Sequence, residues 1–316
     1  MTSPETSASI ARESSASRPS GSSSVSRWSG KALFVVAVWG ASFVATRIAL
    51  ETFTPAGLVA VRLLMGTAVL AAVARARRQT LWPGPSDRAV VILLGLILGG
   101  HLLLQALGLR YTSAINAGWI IAFTPVPIAL GGALLLRQRL APIAWAGLIV
   151  ATSGIGLVIL AETPGFAQAR AGDALQLISC LTWTLYTLAG SGAVARSGAL
   201  QVTLPAMIVG AIPLVIAGAA GGAISGPLTM ASLTATIFLG AVCSGLGYYL
   251  WFDALNAHGA ARTGSYIYLE PFVTVGVAAA LLGEPVSGTV LLGGLMVLLG
   301  VWAVARGTGT VAAEPT

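Results

Sequence analysis

Four ionisable side chains sit inside long apolar runs of this 316-residue chain: Arg47, Arg62, Asp253 and Glu270. Charge in hydrocarbon is costly, so such groups turn toward a protein interior and mark either a pathway or an ion pair. Glu270 carries the most chemistry because Pro271 follows it. The proline has no amide hydrogen, so it frees a carbonyl on the preceding turn, close to an anionic side chain. That place suits an ammonium group or a proton, and it equally suits neutralisation of an intramembrane arginine. Glu270 lies about eight residues into its run, or ~12 Å deep at a rise of about 1.5 Å per residue. Arg62 is expected to pair with Glu51 or a helix C-terminus, Arg47 to reach the nearer surface with its head group, and Asp253 to meet Arg262 or His258.

His101 and Gln105 are one helical turn apart and share a face, where they could bind a polar solute or relay a proton. The plainer reading of His101 is a hydrogen bond between helices. Asn116, Trp119 and Phe123 are spaced to line one face, as are Tyr266 and Glu270. Trp39, Trp183, Tyr186, Tyr248 and Trp251 supply aromatic walls for a largely apolar pocket. Some of these aromatics are expected instead in the belts that Trp and Tyr form at membrane interfaces.

The elements that position these residues follow from composition. With 56% apolar and 9% charged residues and a mean hydropathy of +0.88, the chain is not a water-soluble enzyme. Each membrane span needs roughly 20 residues. Punctuation by Pro, Gly and charge places ten, near 32–50, 57–75, 89–109, 113–136, 142–161, 173–193, 201–220, 232–254, 263–282 and 288–305. The Ser- and Arg-rich residues 1–31 read as a disordered tail and 306–316 as a short one. Net charge is +7, but the 16 Arg and single Lys are scattered, which excludes nucleic acid as the partner and leaves the lipid bilayer. In the ten-span reading thirteen of them fall on one side and two on the other, so both termini are expected in the cytoplasm, at the cell membrane. Cys180 and Cys243 lie in apolar runs as buried thiols, and no cofactor or metal is implied.

Shifting the sequence by 146 positions superimposes Pro125 on Pro271, Gln138 on Glu284, Gly147 on Gly293 and Gly154 on Gly300. Trp39 matches Trp183 at 144. The expected fold is therefore an all-α polytopic membrane protein of ten transmembrane helices as two five-helix repeats, 32–161 and 173–305. An odd number of spans per repeat makes them inverted, an architecture that opens a midplane site to either side in turn. Pairs of glycines at Gly95 and Gly99 or at Gly218 and Gly222 suit either an oligomer contact or internal packing, and the oligomeric state stays open.

Trp39-Gly40-Ala41-Ser42-Phe43, Arg62, Leu109 through Ser113, Phe123-Thr124-Pro125, Trp183, Tyr249 through Phe252, Leu269-Glu270-Pro271 and Gly283-Glu284-Pro285 occur in an order that resembles the drug/metabolite transporter superfamily, in its EamA-like ten-helix branch. The resemblance covers about residues 32–305. It implies a permease that moves a small-molecule substrate, amino acid-like or drug-like, by alternating access, as an exporter or importer, with protons as one option for the coupling ion. The family's Gly-Glu pair at the end of its fourth span is replaced here by Arg137-Gln138, so the acidic residue survives only as Glu284, expected to stabilise the N-terminus of the next helix. Arg62, Arg47, Asp253, Pro125, Pro271 and Glu284 are read as structural or gating residues. Two other classes fit the sequence less well. An intramembrane serine enzyme would need more than Gly40-Ala41-Ser42, which lacks the following Gly of a rhomboid-type site, and no G-x-S-x-G or H-E-x-x-H occurs. A scaffold or receptor would not need the repeat.

Overall fold

The computed structural model describes residues 30–135, 140–161, 166–258, 263 and 265–308. Arg137, Gln138, Arg139 and Arg262 and both tails lie outside the described residues. The elements are α1 (Gly30–Ala49), α2 (Pro55–Ala76), α3 (Arg88–Gly108), α4 (Ala114–Ile121), α5 (Pro125–Leu135), α6 (Pro142–Leu160), α7 (Phe166–Ser197), α8 (Ala199–Gly221), α9 (Met230–Ile237), a π-helical stretch (Phe238–Gly247), α10 (Tyr248–His258), a 3-10 turn (Ser265–Leu269), α11 (Glu270–Leu282) and α12 (Gly288–Thr308). Among the described residues the fold is all-helical, and nine helices are long and apolar enough to cross a membrane. The remaining apolar helix, Tyr266–Leu282, is shorter.

Helix boundaries follow local chemistry. Thr54 caps α2 by accepting the Gly57 amide at 3.1 Å, with Pro55 in the first turn, where its missing N–H costs nothing. The fourth and ninth runs are each broken at a proline. Pro125 cannot donate to the Ile121 carbonyl, and the Thr124 hydroxyl donates there instead at 2.5 Å. At the equivalent break Pro271 frees the Ile267 carbonyl, but the neighbouring residue is Glu270, which has no hydroxyl to offer. Gly283, with φ of 63°, ends α11 in the left-handed conformation that favours glycine.

Glycines set the closest approaches. A Cβ on Gly147 would stand 2.4 Å from the Gly300 carbonyl oxygen, and one on Gly154 2.5 Å from that of Gly293, so α6 and α12 run antiparallel with backbones nearly touching. Gly95 and Gly99 of α3 meet Gly210 of α8 in the same way. Those two glycines are therefore used inside the chain, and Gly222, with φ of 83°, belongs to the turn after α8.

Two groups of helices stand on either side of the centre. In one, α1 packs on α9, the π-helical stretch, α10 and α11; in the other, α3 and α4 pack on α7. Hydrogen bonds knit each group internally. Trp39 Nε1 donates to the Cys243 carbonyl at 3.0 Å and the Thr274 hydroxyl to the Gly40 carbonyl at 2.9 Å, while Gln176 donates to the Gln105 carbonyl at 3.0 Å and the Thr112 hydroxyl to Asp173 at 2.5 Å.

Candidate functional site

Between the two groups lies a narrow central cavity. Its wall takes Trp39, Ser42 and Phe43 from α1, Arg62 from α2, His101, Leu102 and Gln105 from α3, and Ile121 and Thr124 from the end of α4. Trp183 of α7, Tyr248 of α10, Ile267 and Glu270 complete it. Among the described residues, none of the wall comes from α6 or α12.

The charged and polar groups are held by different means. Arg62, 6% exposed, donates through Nε to the Ser244 hydroxyl at 2.7 Å, and Ser244 lies in the π-helical stretch, a wide-turned geometry found often at functional sites. Arg62 thus meets a hydroxyl, not Glu51. His101, 3% exposed, places Nδ1 3.1 Å from the Ser179 carbonyl and 3.1 Å from the Thr182 hydroxyl. A carbonyl only accepts, so the contact to Ser179 fixes the proton on Nδ1 and makes Nε2 the acceptor of the neutral ring. Glu270 is 5% exposed, and its carboxylate has no hydrogen-bond or ion-pair partner among the described residues. An unpartnered buried charge is expensive, which suits a group that receives a mobile cation or a proton.

The aromatic residues make one connected cluster. Trp39 meets Trp183 edge-on at 5.4 Å between centroids and Tyr248 at 5.3 Å. Trp183 stacks on Tyr186 at 5.6 Å, and Tyr186 meets Tyr248 at 6.2 Å and Phe252 at 5.9 Å. His101 lies 5.4 Å from Trp183.

The structure brings Glu270, His101, Gln105, Trp39, Trp183 and Tyr248 of the expected binding residues to the cavity wall, and Arg62 with them. The others are placed elsewhere. Tyr186 lies behind Trp183, and Tyr266 is buried off the wall. Asn116 reaches the Val158 carbonyl of α6 at 3.5 Å, and Trp119 packs on Phe272 and against Gly294 of α12. The face shared by Asn116 and Trp119 therefore turns to neighbouring helices, and Phe123 is half-buried outside the wall. Of the other wall residues, Ser42, Phe43 and Thr124 stand in the motifs of the resemblance without an expected binding role, and Leu102, Ile121 and Ile267 carry no expectation from the sequence. The repeat offers a signal for two of them, since Thr124 and Leu102 lie 146 positions before Glu270 and Tyr248, residues expected at the site.

The expected gating residues also find other partners. Asp253 pairs with Lys31; its expected partners, Arg262 and the His258 side chain, lie outside the described residues. Arg47 does not extend into the interface but donates to the Thr112 carbonyl at 2.7 Å, 3.6 Å from Glu284. Glu284 caps α4 rather than the helix that follows it, accepting the amides of Ala114 and Ile115 at 3.0 Å each. Pro125 and Pro271 mark the two helix breaks beside the cavity. Cys180 and Cys243 are buried free thiols.

Comparison with known proteins agrees with this architecture. The model of the EamA-like transporter family matches residues 27–160 and 170–306. An uncharacterized transporter of Archaeoglobus fulgidus is 28% identical over 274 residues, 84% of this chain and 92% of the relative. A protein of Streptantibioticus cattleyicolor named as a probable terminal-alkyne amino-acid exporter is 28% identical over 280 residues, 87% of this chain and 92% of its own. A crystal structure of a protein 19% identical in sequence superimposes with a TM-score of 0.67, covering 90% of this chain and 98% of the other, a likeness of fold alone. Spanning the membrane several times and matching the family model along almost all of its helical part, the chain belongs to the EamA-like transporter family.

Proposed function

We propose that this transporter exports a small amino-acid-like solute across the cytoplasmic membrane, by exposing the central cavity to each side in turn. The observation that carries the reading is the cavity itself, with a buried carboxylate, a buried guanidinium and aromatic walls lining one space. Glu270 and the Ile267 carbonyl, which Pro271 cannot engage, are two acceptors for an ammonium. Arg62 keeps its two terminal nitrogens for a carboxylate while Nε is held by Ser244. Trp39, Trp183 and Tyr248 face the apolar remainder of the solute. The name of the Streptantibioticus relative favours the same solute class and the outward direction.

The proposed architecture is ten spans in two inverted repeats, 32–161 and 173–305, with both termini cytoplasmic. Three observations support it. The family model matches in two stretches. A shift of 146 turns the contact of Gly147 with Gly300 into that of Gly293 with Gly154, as a two-fold axis across antiparallel helices would. The same exchange turns the packing of α3 on α7 into that of α1 on α9 through α10. Inverted repeats of this kind place the binding site at their interface.

The test is counterflow of a radiolabelled amino acid panel in proteoliposomes, with and without a pH gradient. Wild type is expected to exchange at least one of these solutes, and Glu270→Gln to lower its rate at least tenfold. Acceleration by the gradient in wild type alone assigns Glu270 a proton; no gradient effect in either leaves solute exchange. Equal rates for the two proteins would remove Glu270 from the site.

A further inference from the structure

We propose that Glu284 and Arg47 form the latch that shuts one mouth of the cavity, and that release of the α4 N-terminus from Glu284 is the step that opens it. The proposal builds on the alternating-access reading above. Arg47 and Glu284 carry side-chain hydrogen bonds from the α1, α9, α10 and α11 group to the α3, α4 and α7 group, beside the close packing of Gly118 of α4 on Thr274 of α11. Arg47 ends α1 and Glu284 follows α11, and both grip the α3–α4 junction of the opposite group.

The grip is chemically strong. A helix start leaves four amides without partners. Ser113 accepts that of Asn116 at 3.0 Å, and the two Glu284 oxygens take those of Ala114 and Ile115, as charge-assisted bonds at the positive end of the α4 dipole. Arg47, 3.6 Å from one of these oxygens, adds a bond to the Thr112 carbonyl.

The latch is also thin. Outside it lies an open depression lined by Arg47, Leu109, Arg110 and Glu284 among others. Phe43 faces the cavity and Arg47 the depression, one helical turn on; Gln105 and Leu109 divide the two spaces in the same way on α3. A turn advances about 5.4 Å, so on α1 and α3 one turn separates the cavity from the vestibule, while on α4 and α11 the packing of Gly118 on Thr274 lies between them. The binding acid and the latch acid are joined by one rod, because α11 begins at Glu270 and ends two residues before Glu284. The far end of α4, meanwhile, carries Ile121 to the cavity and leads into Thr124. A solute that draws on Glu270 therefore acts on the helix that holds the latch.

The experiment is sided labelling with a membrane-impermeant maleimide, on full-length protein in oriented vesicles. The reporter is Thr124→Cys, with Cys180 and Cys243 replaced by Ala. Glu284→Ala is expected to raise the labelling rate from the Glu284 face at least tenfold and Arg47→Ala severalfold, with no rise from the opposite face. Ser113→Ala removes a cap of the same helix without crossing the groups, and is expected to leave labelling unchanged. The latch is overturned if neither Glu284→Ala nor Arg47→Ala raises labelling, if labelling rises equally from both faces, or if Ser113→Ala matches Glu284→Ala. A one-sided rise in a protein that shows no counterflow would keep the latch and remove the transport reading.

Discussion

The two mouths of the central cavity are closed by different physics. On the Glu284 side the opposing helix groups are joined by directional, charged hydrogen bonds: a carboxylate on two amides and an arginine on a carbonyl. On the side of the α1 N-terminus they meet through rings, with Tyr186 against Tyr248 and Phe252. The polar pairs there, Lys31 with Asp253 and Arg196 with Asp87, stay within one group. A directional latch gives way at a definite geometry, whereas packed rings give way by shifting past one another, each contact contributing about 0.5–1.5 kcal/mol beyond the area it buries. The repeats explain part of the contrast. The first copy has Gln138 where the second has Glu284, and a shift of 144 from Arg47, the register that matches Trp39 to Trp183, reaches Ser191, so the charged latch is written into one side only.

The contrast can be broken from the aromatic side with the largest expected effect. Tyr186 and Phe252 are fully buried, and truncating a buried aromatic to Ala typically costs about 3–5 kcal/mol. The double variant Tyr186→Ala, Phe252→Ala is expected to raise labelling of Thr124→Cys at least tenfold from the α1 N-terminal side and to leave the Glu284 side unchanged. Salt sharpens the comparison with a smaller effect. The Arg47 side chain is 38% exposed, so its attraction to Glu284 is open to screening. Going from about 0.15 to 1 M salt shortens the Debye length from ~8 to ~3 Å. The labelling rate from the Glu284 side should rise about twofold and that from the aromatic side should hold.

The spans were legible in the sequence because hydropathy accumulates over about 20 residues and survives local irregularity. Among the described residues nine of the ten runs correspond to helices long and apolar enough to cross a membrane, and the ninth run to the shorter apolar helix Tyr266–Leu282, which opens with the 3-10 turn Ser265–Leu269. Residues of the cavity wall were legible where chemistry was unusual for the setting, as at Glu270, His101, Gln105 and Arg62. Trp119 and Asn116 were misplaced because a helix that is apolar all round gives no sign of which face meets lipid, a neighbour or a cavity. The partners of Glu284 and Asp253 were hidden for another reason. Ala114 is 170 positions from Glu284 and Lys31 is 222 from Asp253, and spacing along a chain does not reveal contacts between distant helices.

Distances measured on both mouths at once bear most directly on alternating exposure. Spin labels at Glu51 and Arg110 span the Glu284 mouth, and labels at Ala195 and Ala257 span the other, all at exposed positions. Pulsed dipolar spectroscopy in proteoliposomes, with and without the amino acid that exchanges best, is expected to show two populations at each mouth, with the open fraction of one rising as that of the other falls. A single distance at each mouth that the solute leaves unchanged, or opening of both mouths together, would contradict the account.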